Sequence, residues 1–105
     1  SEKYDITSFF DGIIENKKNG LHTLVLLDRN MGTKEGLEII KKIEEKRKKN
    51  LIKEVIICSM LGSKNEKIFY GKIDEMILKD LPPPAVIIIP GELHFLEKEI
   101  LENLK

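Results

Sequence analysis

The stretch Leu81-Pro82-Pro83-Pro84-Ala85-Val86-Ile87-Ile88-Ile89-Pro90-Gly91 restricts the fold more than any other part of this chain. Proline has no amide hydrogen and a fixed φ, so a run of prolines ends whatever element precedes it. The five residues that follow are apolar and four of them are β-branched, the composition of a strand covered on both faces. Pro90-Gly91 stops that strand, and residues 92–105 return to helical spacing. In open α/β sheets ligands settle outside the carboxyl ends of strands. The Pro90-Gly91 turn is therefore the first candidate for the wall of a site.

The rest of the chain alternates in the same way. Asp5, Ile6, Thr7 and Ser8 offer helix N-cap positions, with Asp11 three residues after Ser8 as in a capping box. Phe9, Phe10, Ile13 and Ile14 form one apolar stripe, and Asn19-Gly20 marks the helix end. Residues 22–28 read as a buried strand closing on Asp28. Residues 29–32 form a loop, Thr33 is placed to cap a second helix, and Leu37, Ile39, Ile40 and Ile43 give that helix its buried face. Lys46, Arg47, Lys48 and Lys49 suit a helix carboxyl end. Residues 54–60 form another apolar strand, residues 61–66 a polar loop, and residues 67–71 a short edge strand that can run antiparallel. Ile73, Met76 and Ile77 recur at helical spacing. Phe95, Leu96, Ile100, Leu101 and Leu104 are expected to face inward from a last helix. This pattern predicts one three-layer α/β domain over residues 1–105, with a mostly parallel, mixed sheet of four to five strands and about four helices.

Composition narrows the function. The chain has 105 residues, and its net charge is zero, so no overall field draws it to nucleic acid or to anionic lipid. Its apolar runs fall far short of the roughly 20 residues that span a bilayer. The polar start Ser1-Glu2-Lys3-Tyr4-Asp5 is unlike a signal peptide. Cys58 is the single cysteine, which excludes an internal disulfide and suits a reducing, cytoplasmic setting. The chain opens without Met and close to its first helix, which reads as a fragment of a longer protein.

No complete catalytic constellation is present. Asp28 ends an apolar strand, and Leu24-Val25-Leu26-Leu27-Asp28-Arg29-Asn30-Met31 with Gly36-Leu37-Glu38 downstream is similar to the phospho-acceptor segment of receiver domains, with Ser59 in the place of their switch hydroxyl. The acidic pair that helps hold Mg²⁺ is missing, and Ile89 stands before Pro90 where a receiver has lysine. A dehalogenase-type phosphatase needs a second Asp two residues on, where this chain has Asn30. The alternative for Asp28 is a carboxylate that caps loop amides. His22 and His94 lack the partners of a metal site, and each reads as a polar residue at the start of an element. The Lys46–Lys49 run, with Lys41, Lys42 and Lys53, is broken by Glu44 and Glu45 and lacks aromatics, so a solvated helix face is preferred to RNA binding. Gly62-Ser63 reads as a turn, and Cys58 as an inert buried thiol.

Three blocks taken together resemble one family. They are Gly20-Leu21-His22-Thr23-Leu24-Val25-Leu26-Leu27-Asp28; then Gly62-Ser63 with Ile68, Tyr70, Gly71 and Lys72; then Pro83-Pro84 and Ile87-Ile88-Ile89-Pro90-Gly91-Glu92-Leu93-His94-Phe95 with Glu97 and Glu99. Residues 7–16 also fit. This resembles the carboxyl-terminal half of the diphthine synthase (diphthine methyltransferase) family, within the tetrapyrrole-methylase-like S-adenosylmethionine-dependent methyltransferases. The resemblance implies a two-domain, homodimeric, cytoplasmic enzyme, with its cofactor between the domains and S-adenosylhomocysteine as product. Its substrate would be the amino group of a modified histidine on translation elongation factor 2, in diphthamide biosynthesis, with no role for nucleic acid, metal or membrane.

By position, the resemblance puts the cofactor contacts on Leu27, Leu61 and Ala85, and it assigns no catalytic side chain to this half. It implies that the fragment alone is inactive. Ala85 stands where the family commonly has His, Met60-Leu61 replaces Arg-Ala, and the loop after Asp28 is short. The expected wall thus moves from the Pro90-Gly91 turn to the start of the strand at Ala85. The competing readings are a receiver-like signalling domain built on Asp28 and a non-catalytic interaction domain.

Overall fold

A computed structural model describes residues 6–104, with side chains described for residues 10–94 and 97–104. The cap position at Asp5 and the side chains of Ile6, Thr7, Ser8, Phe9, Phe95 and Leu96 lie outside what is described. The elements are α1 (Ile6–Lys18), β1 (Thr23–Leu26), α2 (Thr33–Lys46), β2 (Glu54–Ser59), β3 (Lys67–Lys72), α3 (Ile73–Ile77), β4 (Ala85–Ile89) and α4 (Phe95–Glu102).

The α/β class and the alternation of elements are as expected, but the sheet is not parallel. Its order is β1-β4-β2-β3, and every neighbouring pair is antiparallel. The reason lies in how the crossovers interleave. The β1-α2-β2 and β3-α3-β4 units each return the chain in its original direction, as a crossover must. In both cases the two strands are not neighbours: β4 enters between β1 and β2, and β2 lies between β3 and β4. An alternating strand–helix sequence looks the same whether its units sit side by side or interlock.

One sheet face carries the core. Phe10 and Ile13 of α1, Leu37, Ile40 and Ile43 of α2, and Ile73 and Met76 of α3 pack on Val25, Val55, Ile57, Ile87 and Ile89. In β4, Ala85, Ile87 and Ile89 face this core while Val86 and Ile88 are half-buried on the other side. That second face is only partly covered, by α4. Strand β1 was expected to be buried; instead Leu24 and Leu26 are 59% and 71% exposed, because β1 is an edge strand and, among the described residues, no helix covers its outer side. Ile100 on α4, Leu104 just after it and Ile39 on α2, expected inward, are also exposed.

The helix ends follow local chemistry. Helix α1 closes at Gly20, whose φ of +74° is the left-handed conformation. The Leu21 N–H donates to the Asn16 carbonyl at 2.7 Å and the Gly20 N–H to that of Lys17 at 3.1 Å, a Schellman closure. Helix α2 ends in the same way on Lys48, with φ of +53°; Lys49 N–H donates to Glu44 O and Lys48 N–H to Glu45 O. Here a residue with a Cβ occupies the position that favours glycine. Thr33 does not cap α2, because Gly32 holds the N-cap position. Thr33 is instead the first helical residue and is fully buried.

Glu44 also departs from the solvated-face reading. It is 4% exposed, and its Oε2 accepts the N–H groups of Leu51 at 2.6 Å and Ile52 at 2.9 Å. The carboxylate fixes the chain between α2 and β2. Its neighbour Glu45 is exposed, as are Lys46, Lys48 and Lys49. Arg47 pairs with Asp11 and lies 5.4 Å from the centre of the Phe10 ring, tying the end of α2 to α1.

Candidate functional site

The antiparallel order decides which residues meet. Strands β1 and β2 run one way and β3 and β4 the other, so the ends of the first pair adjoin the starts of the second. Leu26 faces Val86 in the ladder, so Leu27 leaves β1 beside the start of β4. Ala85 faces Ser59, and Leu61 follows two residues later. Leu27, Leu61 and Ala85 therefore belong to one end of the sheet. In a parallel sheet the start of β4 would have lain at the opposite end from the other two. Ala85 is buried, Leu27 is half-buried, and Leu61 is 52% exposed.

This end is fixed by hydrogen bonds to the proline segment, residues 81–84. Prolines offer carbonyls but no N–H, so the segment is held through its oxygens and through the N–H of Leu81. Thr33 and Leu81 exchange two bonds: Leu81 N–H donates to Thr33 Oγ1 at 2.8 Å, and Thr33 N–H donates to Leu81 O at 3.0 Å. The buried Ser59 hydroxyl donates to Pro82 O at 2.8 Å, and Met60 N–H donates to Pro84 O at 2.7 Å. The Pro83–Pro84 peptide is cis. Ser59, compared above with a switch hydroxyl, is thus committed to the proline segment. The sequence signal for this arrangement is Thr33 itself, a hydroxyl at a helix start, where a cap and a bond to a distant segment look alike.

The 60–66 loop borders the same end. Met60 and Gly62 have φ of +53° and +85°. The Glu66 carboxylate accepts the Gly62 N–H at 2.8 Å, and the Ser63 hydroxyl donates to Met60 O at 2.8 Å. Cys58 is half-buried in β2, and burial, followed by the charge of Glu66, pushes its thiol pKa up, which suppresses the thiolate. Asp28 is exposed after β1, and its carbonyl accepts the Met31 N–H at 2.9 Å, closing a turn. A receiver's doubly wound parallel sheet is not the framework around it.

The Pro90-Gly91 turn, the first candidate wall, lies at the other end of the sheet. It packs against residues 20–22 so closely that a Cβ on Gly91 would stand 2.2 Å from Leu21 O. Gly91 N–H donates to His22 Nδ1 at 2.9 Å, which leaves the ring proton on Nε2, 3.4 Å from Glu97 Oε2. Glu97 Oε1 accepts the N–H of His94, the N-cap of α4, at 3.1 Å. The His94 amide first, and the His22 ring second, hold the Glu97 carboxyl below its usual range. Lys17 Nζ donates to Pro90 O at 2.9 Å, and burial lowers its pKa against the opposing charge of Glu44. Between α4 and the sheet lies an apolar hollow of about 240 Å³, lined by residues that include Ile56, Ile88, Leu93 and Leu101. It includes none of Leu27, Leu61 and Ala85, and its rim groups, His22 and Glu97, already bond to each other. The His22 ring thus links the turn to α4, while His94 contributes its main-chain N–H at the start of that helix. Among the described residues no cluster of three metal-ligating side chains occurs, and no helix is long and apolar enough to cross a membrane.

No protein-family model matches the chain. Curated relatives do. The diphthine synthase of Methanococcus maripaludis is 44% identical over 90% of this chain and 41% of its own length. That of Methanocaldococcus jannaschii is 37% identical over 98% of this chain and 45% of its own length. Among solved structures, an Entamoeba histolytica protein assigned to the same enzyme superposes with a TM-score of 0.85 at 26% identity, over 93% of this chain and 44% of that one. A crystal structure of diphthine synthase shares the fold with a TM-score of 0.77 at 22% identity, over 90% of this chain and 39% of that one. The chain spans less than half the length of the relatives it matches.

Proposed function

We propose that this chain, which belongs to the diphthine synthase family, is the carboxyl-terminal α/β domain of an S-adenosylmethionine-dependent methyltransferase. In the whole enzyme the acceptor is the amino group of the modified histidine of elongation factor 2, and the enzyme works in the cytoplasm as a homodimer. The observation in support is that Leu27, Leu61 and Ala85, expected from the family resemblance to meet the cofactor, are neighbours at one sheet end with a rigid proline segment behind them.

These residues suit the cofactor's chemistry. Their side chains are apolar, and the backbone around them is held in place. Small-molecule sites combine apolar walls with a few fixed polar groups, and here the polar groups are main-chain ones. The sulfonium group supplies an electrophilic methyl. What the chain must supply is position: Ala85 gives close approach at the strand start, Leu27 gives a wall at the end of β1, and Leu61 covers the mouth from the 60–66 loop. Holding two reactants in line and excluding water reaches large effective molarities without an acid–base pair. This accounts for a site with no catalytic side chain on this half.

The test is a titration of the ¹⁵N-labelled chain with S-adenosylhomocysteine, followed by NMR. Amide shifts should gather at Leu27, Leu61 and Ala85. Shifts gathered at the hollow beneath α4 instead, or none at millimolar ligand, would refute the assignment. The chain alone should transfer no methyl group to elongation factor 2, since one side of the cleft is missing.

A further inference from the structure

We infer that Gly36 of α2 is a positioning residue for Leu27. A Cβ built on Gly36 would stand 2.8 Å from Leu27 Cδ2 and 3.1 Å from Leu27 Cδ1, with Ile87 Cδ1 at 3.4 Å. Carbon atoms do not approach to 2.8 Å without a shift in one of them. The glycine is not there for its backbone freedom. It lies within the first turns of a helix, its N–H donates to Gly32 O at 3.3 Å, and alanine is the better helix former. Gly12 of α1 makes the contrast: nothing lies within 4 Å of its Cβ position.

The direction in which Leu27 would move follows from its surroundings. Ile87 is fully buried and closes the inner side, while Leu27 itself is half-exposed. A methyl group at position 36 therefore displaces the Leu27 side chain toward the open sheet end, into the space the cofactor is proposed to use. The same helix turn holds the proline segment through Thr33, so the start of α2 sets two parts of the wall at once. Gly36 is thus a depth stop: the missing Cβ lets Leu27 lie low.

This inference rests on the cofactor reading above, and the experiment separates the two. Wild type, Gly36→Ala, Leu27→Val and the double variant are compared by thermal melts and by the S-adenosylhomocysteine titration. Valine keeps the wall apolar but lacks the Cδ atoms that clash. Gly36→Ala should lower the melting temperature in the wild-type background and leave it level or raise it in the Leu27→Val background, a coupling expected only of touching residues. The readout that a packing role alone would not move is affinity. Gly36→Ala should weaken binding by roughly tenfold, and the double variant should bind within about threefold of Leu27→Val. Gly36→Ala binding like wild type despite a lower melting temperature would overturn the positioning role, as would a double variant that binds no better than Gly36→Ala. If wild type itself shows no shifts, the cofactor reading fails and the ligand role of Gly36 fails with it, whatever the melts show.

Discussion

Replacing Glu44 by alanine should be far more damaging than the same change at Glu45, one residue away. The Glu44 carboxylate is 4% exposed and accepts two main-chain N–H groups, from Leu51 and Ile52, through a single oxygen. Ile52 is buried, so its N–H would be left without a partner and out of reach of water; Leu51 is partly exposed, so its N–H can be rehydrated. A stranded buried donor costs about 1–3 kcal/mol, and losing a charge-assisted bond that water can replace costs roughly half of that, so the sum is about 2–4 kcal/mol. For a domain with about 5–15 kcal/mol of stability in total, this is a large share. With a urea m-value of about 1–2 kcal/mol/M, the midpoint of unfolding should fall by roughly 1–4 M. Glu44→Gln keeps an acceptor oxygen without the charge and should lose about 1 kcal/mol. Glu45→Ala, on the exposed side, should stay within about 0.5 kcal/mol of wild type. Urea unfolding followed by circular dichroism gives all three values. Equal midpoints for Glu44→Ala and Glu45→Ala would refute the argument that this carboxylate anchors the α2–β2 connection.

Two further outcomes follow from positions already described. Lys48→Gly should stabilise the domain by about 0.5–1 kcal/mol, because it removes the penalty of a left-handed residue bearing a Cβ while adding the smaller entropy cost of glycine; a thermal melt below that of wild type would contradict it. The Glu97 carboxyl is held below its usual range, so its contribution to α4 docking is fully present above the unfolded-state value and is lost as the pH falls through the lower folded value. The His94 amide shift should therefore stay unchanged on going below the ordinary carboxylate range and move only at lower pH, and a midpoint at or above 4.5 would count against the paired geometry.

The fold class, the order of elements and the family were legible from the sequence because each rests on local text: the proline run, Asn19-Gly20, and three blocks of residues. What was not legible depends on partners distant in the chain. Strand neighbours were misread because the sequence alternates in the same way for adjacent and interlocked crossovers. Leu24 and Leu26 were placed inside because an apolar strand does not say which of its faces goes uncovered. Glu44 and Glu45 read alike, and only the return of Leu51 and Ile52 tells them apart. Thr33 has the sequence context of a cap, yet its hydroxyl belongs to Leu81, 48 residues away. At the candidate site, the three positions came from family resemblance. Their adjacency follows from the reversed direction of β4.

The place of β4 also bears on the order in which the molecule can be made. The strand latest in the chain fills the gap between the first and the second. During synthesis from the amino end, β1 leaves the ribosome without its sheet partner and must wait for some sixty residues to emerge before the ladder with β4 can close. The β2–β3 hairpin can form early, since it needs only a short loop. Assembly of the sheet is therefore governed by long-range pairing, which slows folding. Through that interval the apolar β1 segment has no ladder partner in the sheet.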